Sequence, residues 1–172
     1  MLSEKLKRII SNYQDFPKEG ILFKDITPIL ANPIIFSELI DMMSSSQIIQ
    51  NADAIVSVDA RGFIFGSAIA LKTLKPMLLA RKPGKLPGDI IESKYSMEYY
   101  ENSLSIQTKS LEDFHNLAIV DDLLATGGTV QCVEKILKSL DKKISGISVV
   151  VELQELNARS RIDSKVESQI VY

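Results

Sequence analysis

Residues 119–129 read Ile119-Val120-Asp121-Asp122-Leu123-Leu124-Ala125-Thr126-Gly127-Gly128-Thr129, an apolar strand that runs into two acids and then a turn of small, hydroxyl-bearing and glycine residues opening a helix. That order builds an anion cradle. Gly127 and Gly128 let the backbone adopt positive φ, so successive N–H groups point inward at one phosphate while Thr126 and Thr129 add hydroxyl donors at a helix N-terminus. Asp121 and Asp122 would repel that phosphate unless they face a sugar hydroxyl or a hydrated Mg²⁺, so the stretch implies a phosphorylated sugar, with or without a metal. A P-loop is excluded because no lysine follows the glycines, and the dinucleotide pattern G-x-G-x-x-G is absent.

Outward from this stretch the texture alternates. Residues 54–58 read as strand, Arg61-Gly62 as loop, 63–74 as an apolar helix and 77–80 as the next strand; 117–120 and 144–153 add strands with a helix at 130–140 between them. Such repetition predicts an α/β fold, a parallel-stranded central sheet flanked by helices on both faces. Ligands in these sheets gather beyond the carboxyl ends of the strands. The cradle lies at one such end and Asp59-Ala60-Arg61-Gly62 at another. Near the amino end, Leu2, Leu6, Ile9, Ile10 and Tyr13 recur at helical spacing and predict an amphipathic helix that stops before Pro17. Asn32-Pro33 opens a second helix with Ile34, Ile35, Phe36, Leu39, Ile40 and Met43 as its buried face, fraying over 44–46. The alternation breaks over 82–110, where a turn-rich basic loop precedes extended segments at 91–97 and 104–107 able to pair as a flap. With no repeat or linker, residues 1–172 read as a single domain with a hood over about 1–35 and a flexible flap over about 82–110.

At 172 residues the chain is long enough to bury a core without staples. The lone Cys132 has no partner for an intrachain disulfide, which points to a reducing cytoplasm; it reads as a small apolar residue on the helix after the cradle. A formal charge of −2 leaves no basic footprint for nucleic acid. Met1-Leu2-Ser3-Glu4-Lys5 is no signal-peptide start, and no run is long enough to span a bilayer. A single histidine, His115, cannot build a His cluster for zinc, so any metal is expected to be Mg²⁺ shared between carboxylates and substrate phosphates.

Three further stretches carry chemistry. Asp59-Ala60-Arg61-Gly62 joins a strand to an apolar helix, where free N–H groups and the Arg61 fork suit a pyrophosphate. Arg81, Lys82 and Lys85 sit on a loop hinged by Gly84 and Gly88 and stiffened by Pro83 and Pro87; closing over a leaving pyrophosphate, it would neutralise charge and exclude water. Residues 16–30 form a hydrophobic hood in which composition leaves Phe23 open between core packing and stacking on a base.

The hydrophobic-Asp121-Asp122-x-x-Ala125-Thr126-Gly127-Gly128-Thr129 stretch resembles the signature of the type I phosphoribosyltransferases. Within that family the adenine-specific branch is resembled by Phe16-Pro17-x-x-Gly20-Ile21-x-Phe23-x-Asp25-Ile26-Thr27-Pro28, Asp59-Ala60-Arg61-Gly62-Phe63, Arg81-Lys82-x-Gly84-Lys85-Leu86-Pro87-Gly88 and Tyr95-Ser96-Met97-Glu98-Tyr99, in order along residues 16–129. The signature marks the superfamily, and the hood and basic loop select the branch.

The resemblance implies the type I phosphoribosyltransferase fold and a purine-salvage reaction: phosphoribosyl pyrophosphate and adenine give AMP and diphosphate, with Mg²⁺ required and a cytoplasmic homodimer as the usual assembly. Ribose 5-phosphate and ribose would fall to Asp121, Asp122, Ala125, Thr126, Gly127, Gly128 and Thr129. Pyrophosphate would fall to Arg61, Arg81, Lys82 and Lys85, some of them across a dimer interface. Backbone groups of Leu22 and Lys24 would read adenine while Phe23 stacks on it. Glu98, helped by Tyr99, would handle the adenine proton and join Arg61 and Asp122 as the catalytic set. Mg²⁺ would be held mainly through substrate and water near Asp121 and Asp122, with no direct protein ligation, and neither nucleic acid nor membrane is an expected partner. Lys24 departs from the more frequent arginine and Asp59 from glutamate; the segment after Leu156 carries little of the pattern and no role. Alternatives are a phosphoribosyltransferase for another base and a non-catalytic phosphoribosyl-pyrophosphate-sensing regulator.

Overall fold

The computed structural model describes residues 1–97 and 100–172, which divide into two units, Met1–Met42 and Met43–Tyr172. In the first unit, α1 (Leu2–Ile9) places Glu4 in its first turn and Lys7 and Arg8 in its last, matching the helix dipole, and buries Leu6. The helix stops at Ile9, short of the expected Tyr13. The reason is pairing: β1 (Ser11–Gln14) lies antiparallel to β2 (Leu22–Asp25), setting an exposed Tyr13 opposite Phe23. Asp15 Oδ1 accepts the Gly20 N–H at 2.7 Å, and Phe16 meets Phe23 edge-on with ring centroids 5.1 Å apart, so the connection is closed by its own residues. Ahead of α2 (Thr27–Leu30), Asp25 Oδ1 accepts the Thr27 N–H at 2.9 Å. Asn32 caps α3 (Pro33–Ser45) by accepting the Ile35 N–H at 3.1 Å. Leu39, Ile40 and Met43 are buried as expected, but Ile34 is 71% exposed. It stands about two and a half turns from Met43 and so faces the opposite way.

The second unit is built on a parallel sheet. After α4 (Gln47–Gln50), capped by Ser46, come β3 (Ala54–Val58), α5 (Gly62–Thr73), β4 (Met77–Ala80), the antiparallel pair β5 (Ile90–Met97) and β6 (Tyr100–Gln107), α6 (Thr108–Leu111), β7 (Asn116–Leu124), α7 (Gly128–Ser139), β8 (Lys143–Glu152) and β9 (Val166–Val171). The sheet order is β4-β3-β7-β8-β9, with every neighbouring pair parallel. All five residues of β3 are buried, as a strand covered on both faces requires. Val56, Ile119, Ile147 and Val149 from the sheet pack with Val133, Ile136 and Leu137 of α7 in one core; each such side chain contributes about 1.5–3 kcal/mol by leaving water. None of the described helices is long and apolar enough to cross a membrane.

Two departures from the sequence reading bear on function. β7 does not stop at Val120 but continues through both acids to Leu124, because β8 remains paired with it as far as Leu124↔Glu152. A fifth strand, β9, comes from the segment that drew no assignment; its mixture of Glu167, Ser168 and Gln169 with apolar residues hides an edge strand. The two extended segments expected to pair do so, from Ile90↔Gln107 to Met97↔Tyr100. Cys132 Sγ donates to the Ser93 carbonyl at 3.0 Å, tying β5 to α7.

Candidate active site

β3 and β7 are neighbours in register, Ser57 opposite Val120, so the loops that follow them emerge side by side. From β3 come Asp59, Ala60 and Arg61 at the start of α5; the Asp59–Ala60 peptide is cis. Ser57 Oγ donates to the Gly62 carbonyl at 2.7 Å and pins the first turn of that helix. β7 carries Asp121 and Asp122, which are 7% and 5% exposed. Arg61 Nε donates to Asp122 Oδ2 at 2.5 Å and joins the two strand ends. Asp121 Oδ1 accepts the Asp122 N–H at 2.8 Å. Burial, and after it the negative charge of Asp122, pushes the Asp121 carboxyl well above the usual carboxylate range, with Arg61 only partly offsetting.

The turn that follows takes a positive φ at Gly127 only, since Gly128 already belongs to α7. Gly127 is the N-cap of α7 with φ +86°, a conformation a side chain would strain. The first N–H groups of α7 therefore have no helical partner and open at the end of the strand. Here lies a cavity of about 370 Å³ walled by both acids, the 123–127 turn, Thr129, Asp59, Arg61, Lys82 and Tyr95.

Most of the expected phosphate and ribose residues meet at this cavity: Asp121, Asp122, Ala125, Thr126, Gly127 and Thr129, with Arg61 and Lys82 from the pyrophosphate group. Gly128 instead faces Tyr95, whose ring would stand 3.0 Å from a β-carbon at that position. Arg81 points elsewhere: its Nε donates to Asp59 Oδ2 at 3.1 Å, its guanidinium lies 5.7 Å from the Phe63 ring centroid, and its Nη1 donates to the Lys85 carbonyl at 3.4 Å. Neither Arg81 nor the exposed Lys85 is among the residues walling the cavity. Leu22, Phe23 and Lys24 sit together on β2 of the first unit. Glu98 and Tyr99 lie outside the described residues.

Sequence reasoning gave Tyr95 no role of its own. Its hydroxyl lies beside the Thr129 side chain, and burial raises its pKa. An aromatic residue on an alternating strand carries no mark of which face it presents, so only the packing of β5 on α7 reveals it.

The chain's residues 25–170 match the phosphoribosyl transferase domain family, a class whose name fits a phosphate turn, a buried acid pair and cations at adjoining strand ends. An adenine phosphoribosyltransferase of Prochlorococcus marinus (strain MIT 9215) is 60% identical over 172 residues, the full length of both chains. The crystal structure of adenine phosphoribosyltransferase from Thermoanaerobacter pseudethanolicus superposes with a TM-score of 0.93 at 38% identity, covering 100% of each chain. The Saccharomyces cerevisiae enzyme, solved with adenine and an imino-altritol bisphosphate, gives 0.86 at 33% identity over 97% of each chain. The chain belongs to the adenine phosphoribosyltransferase branch of that family.

Proposed function

We propose that the protein transfers the 5-phosphoribosyl group from phosphoribosyl pyrophosphate to adenine, giving AMP and diphosphate. One observation carries the reading: a left-handed glycine turn at a helix N-terminus, two buried carboxylates and two cations line a single cavity. A phosphorylated ribose bearing a pyrophosphate leaving group needs all three. The backbone of residues 126–129 takes the 5-phosphate, Asp121 and Asp122 take the ribose hydroxyls, and Arg61 with Lys82 takes the pyrophosphate, joined by Arg81 and Lys85 from the basic loop.

As the C1–O bond to pyrophosphate breaks and a ring nitrogen of adenine bonds to C1, positive charge develops on the ribose. The buried acid pair favours that charge, and Arg61 and Lys82 stabilise the departing anion. Glu98 receives the adenine proton, an assignment supported by its place in the 95–99 motif. Backbone groups of Leu22 and Lys24 read the adenine edge while Phe23 stacks on its face; the adenine carried by the yeast relative supports this choice of base.

The donor set suits Mg²⁺ held through substrate oxygens. Asp121 and Asp122 are hard oxygen donors at the cavity wall, each with one oxygen engaged by Arg61 or by a backbone N–H, and no group of three or more His, Cys, Asp or Glu forms a metal cage among the described residues. Bound there, the ion supplies charge neutralisation to the pyrophosphate. A homodimer is supported by α5 and its C-cap Leu74, where Ile64, Leu71 and Leu74 are 38%, 78% and 88% exposed; light scattering that returns the mass of one chain at micromolar concentration would refute it. The lone buried thiol suits the cytoplasm.

The test is AMP formation from adenine, phosphoribosyl pyrophosphate and Mg²⁺, with hypoxanthine and guanine alongside. Adenine should be preferred by about 10⁴ in kcat/KM, because a site built to pair its amino group leaves polar groups unmatched against a 6-oxo base. Equal turnover of hypoxanthine would overturn the base assignment.

A further inference from the structure

The segment after β8 lies under the phosphate turn. Gly127 has no side chain, and the space where its β-carbon would be is bounded by the Ala158 β-carbon at 3.2 Å, the Ala158 carbonyl at 3.3 Å and Ile162 Cδ1 at 3.4 Å. Gln131, one turn into α7, donates from Nε2 to the Arg161 carbonyl at 2.8 Å. The turn thus rests on residues 158–162. These residues are a four-residue 3₁₀ turn, Ala158–Arg161, entered through Asn157 at φ +49°, and the Ser160 and Ile162 N–H bonds within it are long at 3.2 and 3.4 Å. So short an element does not hold its own shape.

Arg159 holds it from outside. Its Nε and Nη2 both donate to Glu152 at 2.7 Å, a bidentate pair, and its Nη1 donates to the Val166 carbonyl at 3.2 Å. Glu152 is 3% exposed and also accepts from Ser168 Oγ. It ends β8 directly opposite Leu124, the residue from which Ala125 and the phosphate turn spring. The same carboxylate therefore anchors the 3₁₀ turn to the strand end that launches the turn above it.

We propose that Arg159, through Glu152, is a positioning residue for phosphoribosyl pyrophosphate: it fixes residues 158–162 as the floor that holds Gly127, and hence the N–H groups of the phosphate turn, in binding geometry. This rests on the reading of that turn as the 5-phosphate site. Loss of the floor weakens the sugar phosphate and leaves adenine untouched, since no part of it belongs to the hood.

The experiment compares wild type with Arg159→Met, which keeps the aliphatic stem, Arg159→Lys, which keeps the charge without the fork, and Ala158→Gly, which removes the β-carbon beneath Gly127 while leaving the ion pair. Steady-state kinetics and calorimetric titration with ribose 5-phosphate are the readouts. Arg159→Met should raise the KM for phosphoribosyl pyrophosphate about tenfold and weaken ribose 5-phosphate in proportion, with the adenine KM within about twofold; the Lys and Gly variants should lie between. Unchanged sugar-phosphate affinity, or equal shifts in both KM values, overturns the proposal. If Arg159→Met does not fold, Ala158→Gly decides by the same criterion. Wild type that fails to bind ribose 5-phosphate sinks the parent reading along with this one, whereas normal binding in wild type and variants alike sinks this one alone.

Discussion

Gly62 and Asp121 are packed so closely that a β-carbon on Gly62 would fall 2.9 Å from Asp121 Oδ1 and 3.1 Å from the Val120 carbonyl. The neighbours include backbone and a buried carboxylate, so neither yields easily. Glycine at 62 sets the spacing between the start of α5 and the acid pair, and with it the reach of Arg61 to Asp122. Gly62→Ala should cost about 1–3 kcal/mol by overpacking. It should also lower kcat/KM by about a hundredfold, because a displacement near 1 Å at a reacting centre has that effect. Calorimetric melting alongside kinetics checks both; a variant with wild-type activity would show that the spacing is not what matters.

Asp121 gives a pH dependence whose sign is fixed. Its folded-state pKa is raised above the usual 3.8, chiefly by burial and then by Asp122. The native state therefore holds that proton more tightly than the unfolded chain, and the stability so contributed is complete below 3.8 and lost as pH rises through the folded value. Asp121→Asn cannot ionise. Ligand-free protein should accordingly lose stability relative to this variant as pH rises above 3.8, leaving Asp121→Asn the more stable of the two at pH 7. Its kcat should fall by about 10²-fold. Urea titrations at pH 4, 5.5 and 7 that run parallel for the two proteins would contradict this.

Arg61 and Asp122 respond differently to removal. Asp122 lies within β7 and is 5% exposed, whereas the Arg61 side chain is 47% exposed. Arg61→Ala should leave the far-ultraviolet circular dichroism intact and lower kcat by about 10²–10³-fold. Asp122→Ala should lose activity and also melt at lower temperature, since it opens a hole beside buried Asp121. Equal melting temperatures in the two variants would speak against this division.

The parallel architecture was legible because buried strands announce themselves as apolar runs, at 54–58 broken only by Ser57 and at 117–120 unbroken, and the phosphate turn because Thr-Gly-Gly-Thr after two acids has few other uses. What stayed hidden depended on partners far along the chain. Tyr13 fits a helical face as well as it fits a strand, and only pairing with residues 22–25 decides between them. β7 continues past its apolar run because β8 continues beside it, a fact absent from the local pattern. That Arg81 Nε pairs with Asp59, a carboxylate 22 residues earlier, is likewise absent from the local pattern of the basic loop. The floor under Gly127 could not be read at all, since neither Ala158 nor Arg159 belongs to a motif and their meaning comes from what they touch.

Tyr95 links β5 to the phosphate turn by its ring against Gly128, with its hydroxyl beside Thr129. Tyr95→Phe removes only the hydroxyl. It should raise the KM for phosphoribosyl pyrophosphate about fivefold, the worth of one hydrogen bond, and leave kcat within about twofold. A fall in kcat with KM unchanged would instead place the hydroxyl in the chemical step.

A crystal structure with AMP measures directly where the sugar phosphate binds. The phosphate oxygens should lie about 2.7–3.2 Å from backbone N–H groups of residues 126–129, with the ribose hydroxyls on Asp121 and Asp122. AMP bound with its phosphate away from that turn, and the acid pair facing no sugar, would contradict this placement.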